Sequence, residues 1–252
     1  MRKNLILVLS CFIIFCSCRT RPSNCDNIWN ARITSNSPVT IGQTIEFGAP
    51  EVGGDRTYDW KGPHNYESHY PHITIPYAEL ENEGWYYLRV YAVNGDHCQR
   101  EDSVYIDVKL KQGTPPCSTT ANQATFNNMS PSTYLTVKKM IDGSNGFVLK
   151  AISSSQGDIT VYFHPHWLTK EPEDGIYTTQ DIPSFGQLDY NYNKVFIQIQ
   201  KDNLLWATRI GSEVYVSHVN GKLEVTFCNL SMGAYNGYSF TTSTSGSVLE
   251  NQ

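Results

Sequence analysis

Turn residues interrupt this chain at short, regular intervals, and brief runs rich in β-branched and aromatic side chains lie between them. That rhythm constrains the fold more than any other feature. Such runs suit strands and are too short for helices. No segment carries a sustained 3.6-residue apolar repeat. Strands are expected over Arg32–Ser35, Thr44–Phe47, Thr57–Trp60, His72–Ile75, Trp85–Val93 and Ser103–Lys109. The breaks between them include Asn36-Ser37-Pro38, Gly53-Gly54-Asp55, Gly62-Pro63 and Asn94-Gly95-Asp96. Further strands are expected over Tyr134–Val137, Gly146–Ile152, Asp158–Phe163, Gly175–Thr178, Val195–Gln200, Leu204–Ile210, Glu213–Val219, Lys222–Cys228 and Tyr238–Thr242. Asn220-Gly221 between two of them predicts a type I′ hairpin.

Lys111-Gln-Gly-Thr-Pro-Pro116 reads as a linker, because two prolines beside a glycine resist regular structure. It separates an expected domain over residues 25–110 from a second over 117–248. The expected class is all-β: an Ig-like sandwich followed by a second sandwich-like domain. Net charge is −5, spread without a block of one sign, and no basic patch marks a nucleic-acid partner.

Residues 1–18 read as a secretory signal: Arg2 and Lys3, an apolar run from Leu5 to Phe15, then a polar stretch from Arg19. The run is short for a membrane span, which needs about 20 residues. Phe15-Cys16-Ser17-Cys18 resembles a lipobox, the processing site of bacterial lipoproteins, although Cys16 replaces the commoner small residue. The resemblance implies that Cys18 is acylated and anchors the chain to the outer membrane; Cys11 is the rival site. Export implies an oxidising compartment, so disulfides are expected among Cys25, Cys98, Cys117 and Cys228. The linker assigns one pair to each side, Cys25–Cys98 and Cys117–Cys228.

Tyr58-Asp59-Trp60-Lys61-Gly62-Pro63, followed by Asn65-Tyr66 and Ser68, resembles the strand-C segment of Ig-like (PKD-like) domains in Bacteroidota surface proteins. Asn82-Glu83-Gly84-Trp85-Tyr86 is similar to the segment holding their tyrosine corner, in which a Tyr hydroxyl bonds back to the main chain. Leu88 stands where immunoglobulin domains carry the second bridging Cys. The hairpin Val214–Asn229 is similar to one that closes other lipoproteins of that phylum. Such a resemblance implies fold and an envelope location, and no chemistry.

Searching for chemistry yields little. There is no Gly-x-Ser-x-Gly elbow, His-Glu-x-x-His helix or Gly-rich phosphate loop. His164-Pro165-His166 offers two imidazoles, but a structural zinc needs four ligands. His64, His69 and His72 read as a solvated loop, and Glu171, Glu173 and Asp174 as a charged turn. No enzyme activity, metal or cofactor is therefore expected. Aromatics among polar residues are the remaining signal: Trp167, Tyr190 and Tyr192, beside Asp189, Asn191 and Asn193, are the expected ligand-binding residues. Trp206, in a regular strand, is expected in the core. The function expected is a non-catalytic envelope module that binds glycan or a surface protein. The alternative is a structural subunit of an outer-membrane complex for secretion or nutrient uptake, and a hydrolase with a dispersed site stands third.

Overall fold

The computed structural model describes Ile28 and residues 32–52, 56–92, 98–126, 131–142, 146–153, 157–164, 170–181, 192–201, 203–234 and 241–252. Among these, no helix is long and apolar enough to cross a membrane. The signal segment and Cys18, Cys25, Trp167 and Tyr190 lie outside the described residues.

Among the described residues, the first half holds nine strands: β1 (Thr34–Ser35), β2 (Val39–Thr40), β3 (Ile45–Gly48), β4 (Arg56–Lys61), β5 (Glu67–Ser68), β6 (His72–Ile75), β7 (Gly84–Ala92), β8 (Gln99–Ile106) and β9 (Val108–Lys109). One sheet has the order β1-β3-β6 and the other β5-β4-β7-β8. β2 pairs parallel with β9 at the margin. This is an Ig-like sandwich, with β3 and β6 facing β4 and β7.

Its core is aromatic. Trp60 is fully buried, with its indole N–H donating to the Tyr70 carbonyl at 3.0 Å. The ring meets Phe47 of the opposite sheet nearly edge-on, with centroids 5.1 Å apart. Phe47 also packs on Tyr86 at 4.6 Å. Leu88 lies opposite Trp60 across the ladder and is buried. Apolar packing between Phe47, Trp60 and Leu88 therefore fills the centre that a disulfide occupies in immunoglobulins. The tyrosine corner is present: the Tyr86 hydroxyl donates to the Asn82 carbonyl at 3.1 Å. Burial pushes that hydroxyl's pKa up to about 12. Gly62 is required by close approach, because a Cβ there would lie 2.6 Å from the Tyr86 ring.

Among the described residues, the second half holds eleven strands: β10 (Gln123–Phe126), β11 (Ser132–Thr133), β12 (Thr136–Asp142), β13 (Gly146–Ile152), β14 (Ile159–Phe163), β15 (Gly175–Thr179), β16 (Lys194–Lys201), β17 (Leu204–Thr208), β18 (Glu213–Val219), β19 (Lys222–Ala234) and β20 (Thr241–Leu249). They form one continuous sheet, which makes the sandwich by folding over on itself. β15 and β17 share one edge of β16, and β18 and β17 share one edge of β19. Strands β15 to β19 therefore close a ring. A register shift between Phe227 and Leu230, with Asn229 at φ 50°, bends β19 between its two partners. The Cys117–Cys228 disulfide joins this bend to the start of the half, with a Cα–Cα distance of 5.8 Å. Cys98 is also disulfide-bonded; its expected partner, Cys25, is not among the described residues. Asn220 and Gly221 both take positive φ, as the type I′ turn requires.

Strand limits differ from expectation at many ends: Ser103–Lys109 is found as Gln99–Ile106 and Tyr134–Val137 as Thr136–Asp142, and the short strands β2, β5 and β11 were not expected. Three differences in the second half have a clear physical reason. β10 has no counterpart among the expected strands; it pairs with β20 and buries Ala124 and Phe126. The last strand runs on to Leu249, through a Ser/Thr/Gly stretch that reads as loop and is held by ladders on both sides. β19 continues past Cys228 to Ala234 because β17 and β20 both pair with its far end.

The expected linker is not a free tether at its start. Ile176 N–H donates to the Lys111 carbonyl at 2.8 Å, and the Gln112 side chain donates to the Asp174 carbonyl at 2.9 Å. Gly175 is close-packed here: a Cβ on it would lie 2.5 Å from Leu110 Cβ. This segment runs against β15 because its backbone groups find partners there before Pro115 and Pro116 intervene.

Candidate binding face

Of the three aromatics singled out as ligand-binding, Tyr192 is described. It lies at the seam between the halves. Its hydroxyl is hydrogen-bonded to His64 Nε2 at 3.2 Å, and its ring lies 4.8 Å from that of His164. Burial and the negative charge of Glu81 raise its pKa. A cavity of 150 Å³ beside it is lined by His64, Leu80, Glu81, Glu83, Lys170 and Glu173, below the roughly 300–1,000 Å³ usual for small-molecule sites. Trp206 packs half-buried against the core.

His64, His69 and His72 do not assemble into one site, and Pro165 and His166 of the His-Pro-His candidate lie outside the described residues. His69 Nδ1 donates to the Tyr58 carbonyl, His72 is exposed on β6, and His64 faces Tyr192. Among the described residues, no group of three or more His, Cys, Asp or Glu side chains could hold a metal ion.

The charged turn before β15 is an ion-pair network. His218 Nδ1 lies 2.6 Å from Asp174 Oδ1, and its Nε2 lies 3.2 Å from Glu171 Oε2. Each ring nitrogen faces a carboxylate, so the imidazole can donate to both only as the cation. Burial alone would lower its pKa; the hydrogen bonds to Asp174 and Glu171 outweigh burial, and the net shift is upward. Lys139 bonds the other Glu171 oxygen at 2.5 Å and reaches Glu250 at 3.3 Å. Glu171 is held below its ordinary pKa mainly by Lys139, against burial, with help from His218. Each ion is matched, which suits a staple better than an acid–base pair poised for proton transfer. His218 carried no sequence signal, because its partners lie 44 and 47 residues away.

The feature that sequence reasoning missed is the outer face of β4-β7-β8. A strand covered on one side should alternate apolar with polar. In β7, Tyr86, Leu88 and Val90 point into the core, yet the outward phase is Trp85, Tyr87, Arg89 and Tyr91. Trp85 is 51% exposed, Tyr87 56%, Tyr91 36%, and Tyr105 of β8 41%. The signal was legible: both phases of one strand are apolar, and only one can be core.

Two of the rings have a structural reason to be there. Trp85 and Tyr105 face each other across the ladder, edge to face at 5.4 Å, and such a pair contributes about 0.2–1 kcal/mol. The Tyr105 hydroxyl donates to Glu83 at 2.7 Å, and that carboxylate, followed by burial, pushes the phenol pKa up to about 12. Cross-strand pairing does not account for Tyr87, opposite Ser103, or Tyr91, opposite Gln99. Tyr87 lies 6.4 Å from Trp85, with the two rings inclined by 30°. Beside them is a groove of 280 Å³, lined by Asp59, Lys61, Tyr87, Arg89, Glu101 and Asp102. Arg89 donates to Gln99 at 2.5 Å and lies 5.9 Å from the centre of the Tyr91 ring. The face thus offers exposed rings among fixed polar groups.

No protein-family model and no curated protein matches the chain. Among solved structures, it is similar to Sidekick-1 immunoglobulin domains 1–5 at 10% identity, covering 88% of this chain and 59% of that one, with a TM-score of 0.24. A second structure, Sidekick-1 immunoglobulin domains 1–4, gives 8% identity, 88% and 74% coverage, and the same TM-score. The chain thus spans under two thirds of the longer structure. The Ig-like assignment above rests on strand pairing and packing, to which so low a score adds nothing.

Proposed function

We propose that this chain is a non-catalytic lipoprotein of the bacterial outer membrane, anchored through Cys18, that binds an extracellular ligand on the outer face of β4-β7-β8. The observation that carries the reading is the row of exposed aromatic rings on that face. Leaving an aromatic ring in water forgoes about 25 cal/mol for each Å² that burial would remove. Trp and Tyr are enriched among the residues that anchor recognition surfaces. Tyr192, by contrast, has its ring and hydroxyl engaged within the protein.

The anchor is supported by the lipobox resemblance, and two acyl chains suffice for stable attachment. Cys18→Ser is expected to leave an unprocessed or soluble form; an unchanged lipidated mass would discard Cys18. The binding face is tested with the double variant Trp85→Ala/Tyr87→Ala against a panel of immobilised glycans and extracellular proteins. Binding by the parent chain and its loss in a folded variant is the expected result. Undiminished binding by the variant would remove the face from consideration.

A further inference from the structure

The chemistry of that same face also selects among ligands. Its outward positions can be read row by row from the ladder. Lys61 lies beside Tyr87 and Ser103; Asp59 beside Arg89 and Glu101; Thr57 beside Tyr91 and Gln99. Glu67 of β5 sits on the far side of Lys61. The charged residues in these rows are therefore Asp59, Glu67 and Glu101 against Lys61 and Arg89, with Asp102 in the adjoining groove and Glu83 bonded to Tyr105. They alternate in sign across the strands rather than pooling. Arg89 lies 3.9 Å from Glu101 and is held by Gln99. The sole full cationic fork on the face is thus already engaged inside the protein. An anionic polymer needs a positive field to draw it in, and a basic partner needs a negative one. The face has no positive field, and its acidic groups are already engaged, Glu101 by Arg89, Asp102 by Arg100 and Glu83 by the Tyr105 hydroxyl.

What the face does offer is uncharged. Trp85, Tyr87 and Tyr91 stand on alternate residues of one strand, with Arg89 between the last two. At about 3.3 Å per residue, the row from Trp85 to Tyr91 is roughly 20 Å long. The ligand that matches a row is itself linear. Among the described residues, no hydrogen-bond partner occupies the Trp85 indole N–H or the Tyr87 hydroxyl. Ser103, Thr57 and Gln99 alternate with the rings on the neighbouring strands. Rings that stack on C–H faces, flanked by small neutral hydroxyl and amide groups, match a chain of neutral sugar residues. A lipid surface would need the polar positions to be apolar.

We propose that the outer face of β4-β7-β8 binds a neutral polysaccharide, with Trp85 and Tyr87 stacking on consecutive parts of the chain. The inference rests on the face being the binding surface, and its test separates the two. The full chain, in a detergent without a sugar headgroup, is titrated calorimetrically with neutral polymers (xyloglucan, galactomannan, mixed-linkage β-glucan) and with polygalacturonate and heparin as anionic counterparts. At least one neutral polymer should bind. Trp85→Ala and Tyr87→Ala should each weaken it about tenfold or more, the loss typical of a stacking anchor. Raising salt from about 50 to about 500 mM should change that affinity less than about twofold, because no ion pair is made. Tyr87→Phe should retain most of the affinity, since the ring rather than the hydroxyl does the stacking.

Three results would overturn the inference. If only anionic polymers bind, with steep salt dependence, the ligand class is wrong. If neutral polymers bind equally well to the alanine variants, the site is elsewhere and the face reading falls with it. If no polysaccharide binds, but the alanine variants abolish self-association in sedimentation or attachment to a protein of the panel, the face reading stands and the glycan does not.

Discussion

The two halves of this molecule solve the same burial problem differently. In the first, two small sheets face each other and every long strand keeps one side in water. Burial along β7 alternates residue by residue. In the second, one sheet curls until both of its sides are covered in places. β13 buries four consecutive residues from Gly146 to Leu149, and β16 buries Val195, Phe196 and Ile197 in succession. Side chains that would be exposed in the first half are therefore core in the second. The lesson is that an apolar side chain means different things on the two sides of Pro115-Pro116. A Phe on β16 needs no explanation beyond packing. A Trp or Tyr on the outer side of β7 does, because Trp85, Tyr87 and Tyr91 stay exposed there.

Three experiments test how separate the halves are. The largest effect is expected for Trp60→Ala, which removes the centre of the first core and costs about 3–5 kcal/mol. In thermal unfolding it should lower a transition of the first half and leave that of the second in place. One cooperative transition that shifts as a whole would show that the seam couples the halves into a single unit. Next is the Cys117→Ser/Cys228→Ser pair. The bridge joins residues 111 positions apart, and its removal should cost about 2–5 kcal/mol. That loss belongs to the second half alone; an equal loss of protection from hydrogen exchange in β4 and β7 would contradict the division.

The smallest effect is at the edge of the seam. The His218 pKa is raised in the folded chain, so its contribution is fully present below the unfolded value of about 6.5 and disappears as pH rises through the higher folded value. Glu171, held low, acts in the opposite sense: its contribution is lost as pH falls through its depressed value. His218→Gln should therefore cost about 0.5–1 kcal/mol between roughly pH 5 and pH 6, a figure kept small by partial exposure. The cost should shrink as pH rises through the raised folded value of His218. Melting curves of both proteins across that range give the answer, and a pH-independent difference would assign His218 to packing instead. Asp174 also offers its carbonyl to Gln112, so the network touches the one segment that connects the halves.

Much of the first half was legible from sequence. His72–Ile75 is an expected strand with both limits unchanged, and the segments around Trp60 and Tyr86 take up the core positions and tyrosine corner that their resemblance implied. In the second half Gly146–Ile152 and Glu213–Val219 also keep both limits. Local pattern suffices for these strands because runs rich in β-branched and aromatic residues lie between clear turn signals, even where, as for β6 and β3, the partner is not the next strand. It did not suffice for β10 or the end of β20: Gln123–Phe126 and the Ser/Thr stretch after Thr241 have weak strand propensity, and they are ordered by each other across about 120 residues. The binding face was half visible. Trp85-Tyr86-Tyr87 announced a strand, but not which of its two phases would be left in water.

By itself, then, the sequence determined the secondary-structure class, the turns and the aromatic core of the first half. Each of these is decided within a few residues, by φ restrictions at Gly, Asn and Pro and by the two-residue period of a strand. Only tertiary structure decided the rest: that β17 bonds both β16 and β19 and so closes the ring, that His218 meets Glu171 and Asp174, and that Trp85, Tyr87, Tyr91 and Tyr105 share one uncovered face. Those outcomes depend on which surfaces are left over once all the others have been buried, and no local window of the chain contains that information.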